Sequence, residues 1–250
     1  MNLTGIILVR TASTRLPEKC LLDFGGKTVI EHVVDRALHF GFDPIICTTH
    51  EKADDQLVEL FTSGPAKIFR GSTHDKLRRI KEACEKHNVT QFVSIDADDP
   101  FFDPDLTRKS NDLLSEGYDV AYPPKEEEFY SGCVGFGVQK KGLDRVLDLF
   151  DTSDSEMMWT YFDEIPDLKK GYLKPPQPAG NIRLTLDYLE DYHLLLTVLR
   201  VLGPYPLGVD IANLFERNPD LYQVNWFRQN QWRDNQEAAI STIHKNIKPK

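Results

Sequence analysis

The sequence predicts a three-layer α/β fold built on a mostly parallel sheet. Three observations carry that expectation. Apolar runs of strand length alternate with stretches of helical spacing through the first half of the chain. The first of these strands leads straight into a polar, basic loop. Apolar residues make up 40% of the chain, enough to fill the two cores such a sheet needs.

The elements follow in order. Gly5-Ile6-Ile7-Leu8-Val9 is continuous and apolar, the pattern of a strand covered on both faces. Residues 27–40 carry Val29, Ile30, Val33, Val34 and Ala37 at helical spacing. Residues 44–48 read as a second strand and 53–61 as a second helix. Residues 66–69 and 75–86 repeat the pair, and 91–95 and 105–114 repeat it again. Right-handed crossovers then bring the carboxyl ends of these strands to one edge, where ligands of open α/β sheets bind.

The second half is less regular. Residues 119–122 and 133–138 read as strands with the polar run 125–128 looping between them. The glycines of 132–137 are not followed by a helix start, so they read as a strand bulge. Residues 143–150, 188–201 and 209–215 read as helices, and 183–186 as a short strand. Pro175-Pro176-Gln177-Pro178 is a stiff connector. Residues 1–250 are read as one domain, with 151–180 as an excursion and 219–250 as a tail packing on the body. Met157, Met158, Trp159, Tyr161 and Phe162 put much apolar surface in the excursion. That surface fits a homodimer contact, and it equally fits the chain's own core.

Composition excludes several classes. A formal charge of −9 argues against a nucleic-acid partner, which requires a basic face. The four cysteines are scattered without a CxxC pair, which argues against a structural zinc site or a disulfide framework. The first apolar run is too short for a signal peptide, and no stretch is long enough to span a bilayer. The expectation is a cytoplasmic protein with reduced thiols and no membrane or nucleic-acid partner.

Two segments carry candidate chemistry. The loop from Arg10 to Lys19 holds three cations, Arg10, Arg15 and Lys19, and three hydroxyls, Thr11, Ser13 and Thr14. A triphosphate needs both kinds of group, and small residues at Ala12 and Ser13 allow close approach. On composition alone a solvated loop fits as well, because the glycine spacing of a P-loop is missing. Ser94-Ile95-Asp96-Ala97-Asp98-Asp99-Pro100 ends the fourth strand with three acids. Alternation points Asp96 and Asp98 the same way, as a hard divalent ion would require. Turn and cap roles suit the same residues. Asp187 stands before a helix, where it can cap that helix or approach Asp98 from another part of the sheet.

The order of these segments resembles the sugar cytidylyltransferases, which include the 3-deoxy-manno-octulosonate and acylneuraminate enzymes and a spore-coat polysaccharide branch. The resemblance rests on Arg10-x-x-Ser13-Thr14-Arg15-Leu16-Pro17-x-Lys19, then Gly25-Gly26-Lys27, Arg70-Gly71-Ser72, Ala97-Asp98-Asp99-Pro100 and Asp187-x-x-Glu190-Asp191. It implies a Rossmann-like nucleotidyltransferase fold and transfer of CMP from CTP to an acidic sugar, with release of pyrophosphate. It further implies that Arg10, Ser13, Arg15 and Lys19 hold the CTP phosphates, with Arg10, Arg15 and Lys19 assisting catalysis. Arg70, Ser72 and Asp75 would lie near the base and ribose. Asp98 and Asp187 would bind Mg2+ or Mn2+, and a homodimer is the common assembly. Two positions depart from the pattern: Glu18 stands where the family has Gly, and Asp96 where many octulosonate enzymes have Gln. Asp96-Ala97-Asp98 also fits the DxD pattern of nucleotide-sugar glycosyltransferases, and the two departures fit a nucleotide-binding relative without catalysis.

Overall fold

Strand β1 (Leu3–Leu8) lies inside the sheet, and its side chains divide between two cores. Ile6 and Leu8 face one layer, while Ile7 and the following Val9 face the other. The computed structural model describes residues 3–123, 132–174, 181–247 and 250. Helix α1 (Val29–His39) starts at Thr28 with a reciprocal cap: Glu31 N donates to Thr28 Oγ1, and Thr28 N donates to the Glu31 carboxylate. Then come β2 (Phe42–Thr49), α2 (Asp55–Phe61), β3 (Lys67–Gly71), α3 (Lys76–His87), β4 (Gln91–Asp96) and α4 (Pro104–Ser115). The second half adds β5 (Val120–Tyr122), β6 (Gly137–Gln139), α5 (Lys140–Leu149), α6 (Trp159–Asp163), β7 (Lys170–Tyr172), α7 (Leu189–Leu202), α8 (Gly208–Arg217) and α9 (Arg228–Asn246).

The seven strands run in the order β3-β2-β1-β4-β6-β5-β7. The first four are parallel, β6 is antiparallel to both neighbours, and β7 is parallel to β5. The fold is therefore the expected α/β sandwich with a mostly parallel sheet. Helices α1 and α2 cover one face and α3, α5 and α6 the other. A third apolar cluster joins α7 and α8 to Phe24, Phe101, Leu106 and Leu186. From β1 the chain crosses to β2 on one side, while β4 lies on the other. The loops leaving β1 and β4 diverge there and open the crevice.

Several expectations change. Met157, Met158, Tyr161 and Phe162 are at most 5% exposed and belong to the core under α3 and α5, so they are not an exposed dimer patch. Trp159 stacks on Phe136, with ring centroids 4.8 Å apart. The reason is volume: the sheet face beside β6 needs bulky cover, and 157–162 supplies it. Residues 183–186 form no ladder strand among the described residues; Leu186 N donates to Asp98 O at 2.7 Å and ties their end to the β4 loop. The strand expected over 133–138 is confined to β6. The polar run 125–128 and the proline connector 175–178 lie outside the described residues. The tail folds as α9, whose Ile243 is buried in the same core as Met157.

The 132–137 glycines have a steric cause. A Cβ on Gly135 would stand 1.9 Å from Ser94 O. This close approach lets Phe136 exchange bonds with Ser94, Ser94 N to Phe136 O at 2.7 Å and Phe136 N to Ser94 Oγ at 2.8 Å. Gly135→Ala should therefore destabilise the protein by about 1–3 kcal/mol through overpacking. An unchanged urea midpoint would show that β4 has room to move.

Candidate active site

The loop after β1 is fixed by a buried carboxylate that no motif announced. Asp54 accepts from Thr11 N and Thr11 Oγ1 at 2.8 and 2.7 Å, and also from Thr48 Oγ1, Thr49 N and Thr49 Oγ1. Burial alone would raise its pKa, but these donors outweigh burial and hold it below the usual carboxylate value. Asp54 thus ties the β1 loop to the end of β2. The sequence signal was faint: one acid just ahead of α2, after two threonines closing a strand.

Further along, Glu18 adopts a left-handed backbone, φ 52° and ψ 28°, and starts a 3-10 turn over Lys19–Leu21. That turn aims Lys19 into the crevice. Its Nζ donates to Asp98 Oδ2 at 2.6 Å, to Asp187 Oδ1 at 2.8 Å and to the Leu186 carbonyl at 2.8 Å. Arg15 donates to the same Asp187 oxygen at 2.7 Å. Arg15, Lys19, Asp98 and Asp187 are therefore brought together from three distant segments. Burial would lower the Lys19 pKa, but the two carboxylates hold it above its ordinary value. Burial would raise Asp98, and Lys19 holds it below the usual range. Asp96 is pushed up to about 6 by burial and by the Asp98 charge, and Asp99 is raised by burial, Asp98 and Asp96.

The remaining expected residues occupy the opposite rim. Arg10 lies 3.4 Å from Glu156, which also approaches Lys76 at 3.5 Å. Arg70 is tied to the β2–α2 turn through Thr49 O, Glu51 O and Asp55 Oδ1. Ser72 Oγ accepts from Asp75 N at 3.0 Å. Asp75 is 6% exposed; it caps α3 through Arg78 N and accepts from Thr152 Oγ1 and Ser155 Oγ. Its carboxylate is thereby committed to holding the 152–155 segment against α3. Ser13 is half-buried in the loop.

Asp187 depends on further residues that sequence reasoning passed over. Asp187 N and Tyr188 N both donate to Asp191 Oδ2 at 2.9 Å. Asp191 is fully buried and paired with the buried Arg183, Nε at 2.9 Å and Nη2 at 3.1 Å. Asp191 closes the Asp187-x-x-Glu190-Asp191 motif, whereas its partner Arg183, eight residues earlier, lies outside it.

The sequence pattern of the cytidylyltransferase family matches residues 4–164, which include the basic loop, Asp98 and the Asp75 cap. The chain belongs to the cytidylyltransferase family. It is a CTP-dependent nucleotidyltransferase. This cytidylyltransferase is 27% identical over 227 residues to the spore coat polysaccharide biosynthesis protein SpsF of Bacillus subtilis, covering 86% of this chain and 94% of that one. It is 29% identical over 154 residues to a 3-deoxy-manno-octulosonate cytidylyltransferase of Aeromonas salmonicida, covering 57% of this chain and 60% of that one. Its fold matches that of a cytidylyltransferase from Leptospira borgpetersenii serovar Hardjo-bovis, with TM-score 0.78, 22% identity, and coverage of 89% and 97%.

The left-handed backbone at residue 18 explains the family's glycine there. A left-handed conformation costs a residue with a Cβ roughly 1–2 kcal/mol, and glycine escapes that cost. The Glu18 side chain is exposed and stands in the strained conformation without a buried partner to compensate. Glu18→Gly should raise thermal stability by about 1 kcal/mol and leave catalysis intact. A lower melting temperature would show that the carboxylate contributes more than its backbone costs.

Proposed function

We propose that this cytidylyltransferase transfers CMP from CTP to an acidic sugar of the ulosonic-acid type, for synthesis of a cell-surface polysaccharide. The observation that carries the reading is the meeting of Lys19 and Arg15 with Asp98 and Asp187 at the mouth of the crevice. The names of the relatives, a spore coat polysaccharide protein and an octulosonate cytidylyltransferase, support the substrate class.

In the reaction a sugar hydroxyl oxygen attacks the α-phosphorus of CTP. The new O–P bond forms as the bond to the bridging oxygen of the β-phosphate breaks. Pyrophosphate leaves with that electron pair, and the hydroxyl proton passes to solvent. Arg15 and Lys19 neutralise the β- and γ-phosphates as charge builds on them, and Arg10 approaches from the other rim. Ser13 and the loop amides donate to phosphate oxygens. Arg70 and Ser72, at the end of β3, flank the base and ribose, with Asp75 holding that segment in shape.

The residues fit a divalent cation. Asp98 and Asp187 both accept from one ammonium nitrogen, so their oxygens lie close enough to share a cation, and Lys19 now stands in for it. Among the described residues no group of three or more acids, histidines or cysteines is arranged to hold a metal. Phosphate oxygens and water would complete the shell, as is usual for Mg2+. Mg2+ or Mn2+ held there would offset phosphate charge.

A homodimer also belongs to this reading. Its support now lies in Leu189, Val201, Val209 and Phe227, each more than half exposed. Sedimentation showing only monomer at micromolar concentration would refute it. The cytoplasmic assignment is supported by four buried cysteine thiols, three of them pushed up to about 12 by burial. No described helix is long and apolar enough to cross a membrane.

The test is a mass-spectrometric screen of CTP with acidic sugars, following pyrophosphate release; a nucleotide-sugar consumed without pyrophosphate would favour glycosyl transfer instead. Lys19→Ala and Arg15→Ala should each lower kcat/KM for CTP by about 10- to 150-fold, since a charged hydrogen bond contributes roughly 1.5–3 kcal/mol. Wild-type kinetics in both would remove the triphosphate role. Asp98→Asn and Asp187→Asn should remain folded, as a cooperative thermal melt would show, yet lose most activity, whereas Asp96→Asn should be milder. Activity in excess chelator would overturn the metal. Lys19→Met should raise the affinity of nucleotide-free protein for Mn2+, because the competing cation is gone; unchanged or weaker binding would argue against a shared site.

A further inference from the structure

The matched family segment ends at residue 164, and beyond residue 218 polar side chains converge on Arg183 and Asp191, the pair behind Asp187. Asn225 is 1% exposed, and its Nδ2 donates to Asp191 Oδ1 at 2.9 Å and to Arg183 O at 3.0 Å. Gln229 is 6% exposed, and its Oε1 accepts from Arg183 Nη1 at 3.0 Å. The Arg183 guanidinium lies over the Trp232 ring at 5.5 Å and over Tyr188 at 5.6 Å, with Nη2 3.5 Å from Asp187 Oδ2. Tyr188 is gripped in turn: Arg228 lies over its ring at 4.9 Å, Arg15 at 5.6 Å, and Asn235 donates to its hydroxyl at 3.3 Å.

We propose that the tail from Asn225 to Asn235 is a positioning element, which orients Asp187 and Arg15 for the metal-bound triphosphate through Asp191, Arg183 and Tyr188. The two halves of this segment do different work. The apolar anchoring comes from Ala239, Ile240 and Ile243 further along α9, which pack on the core beside Met157. The stretch before them commits an amide, a second amide, an indole and a guanidinium to one turn of backbone. A buried carboxylate such as Asp191 keeps its geometry only while each oxygen has donors. Removing Asn225 or Gln229 unbalances the Asp191–Arg183 pair, and with it the two amides that fix Asp187. Asn225, Gln229 and Trp232 are thus positioning residues, acting on the reaction through Asp187.

The inference rests on the proposed role of Asp187, and its test separates the two. Full-length Asn225→Ala, Gln229→Leu, Gln229→Glu and Asp187→Asn proteins would be compared with wild type. Hydrogen exchange at the Asp187 and Tyr188 amides should accelerate in Asn225→Ala and Gln229→Leu while the β1 amides stay protected. Mn2+ affinity in the presence of CTP should fall by about 10- to 100-fold, the usual effect of losing a partner behind a metal ligand. Raised Mg2+ should recover much of kcat. Gln229→Glu keeps the acceptor facing Arg183 and should retain more of the Asp187 and Tyr188 amide protection than Gln229→Leu. Unchanged exchange and unchanged Mn2+ affinity in folded Gln229→Leu would overturn the positioning role, and so would global unprotection in both truncations. If exchange rises as expected but Asp187→Asn binds Mn2+ normally, the metal role of Asp187 falls and the turn-fixing role of the tail stands.

Discussion

Two carboxylates, Asp98 and Asp187, reach the same point from segments remote in the chain, and their like charges alone would drive those segments apart. Lys19 stands between them, and Arg15 adds a second cation to Asp187. Each of these contacts spans far more than a local turn, 79 residues to Asp98 and 168 to Asp187. The β1 loop, the end of β4 and the approach to α7 are therefore held by one charge-balanced node. Charged hydrogen bonds in a partly dry cleft are strong individually, and removing any member leaves another uncompensated.

Around that node the chain uses three further anchors, each a buried ion or amide whose donors are fully specified. Asp54 fixes the root of the β1 loop. Asp75 fixes the start of α3 against the 152–155 segment. Arg36, fully buried, donates to the carbonyls of Phe102 and Pro206 and so ties α1 to the segments that precede α4 and α8; burial pushes its pKa down to about 10. All three hold separate chain segments together. Rigid loops of this kind reduce the reorganisation needed when charge develops in the reaction.

The alternating first half of the sheet could be read from the sequence because buried parallel strands and their amphipathic covers leave continuous apolar runs and 3.6-residue spacing. The second half was harder. β5, β6 and β7 are three residues each, too short for alternation to register, and β6 reverses direction after a glycine run selected by clearance at Ser94. The excursion stayed ambiguous in the sequence because Met157, Met158, Tyr161 and Phe162 look the same whether they cover a sheet or a partner. At the site, Arg15, Lys19, Asp98 and Asp187 were legible as candidates because they stand in motifs of recognisable spacing, and the structure brings these four together. Asp54, Arg183 and Asn225 were not, because a residue that satisfies distant backbone has no fixed spacing from anything in its own segment; Asp191 stood in a motif, but its bonds to the Asp187 and Tyr188 amides were not legible there.

Among the described residues the sheet ends on β3 and β7. β7 offers only three residues, begun by Lys170, and β3 opens on Lys67, which pairs across β2 with Asp43. Brevity and lysine at an outer strand discourage another chain from adding itself to the ladder. Growth of the sheet from copy to copy is thus disfavoured at both margins. The aggregation route by strand addition, a hazard for parallel sheets that assemble slowly, is disfavoured once the native sheet has formed.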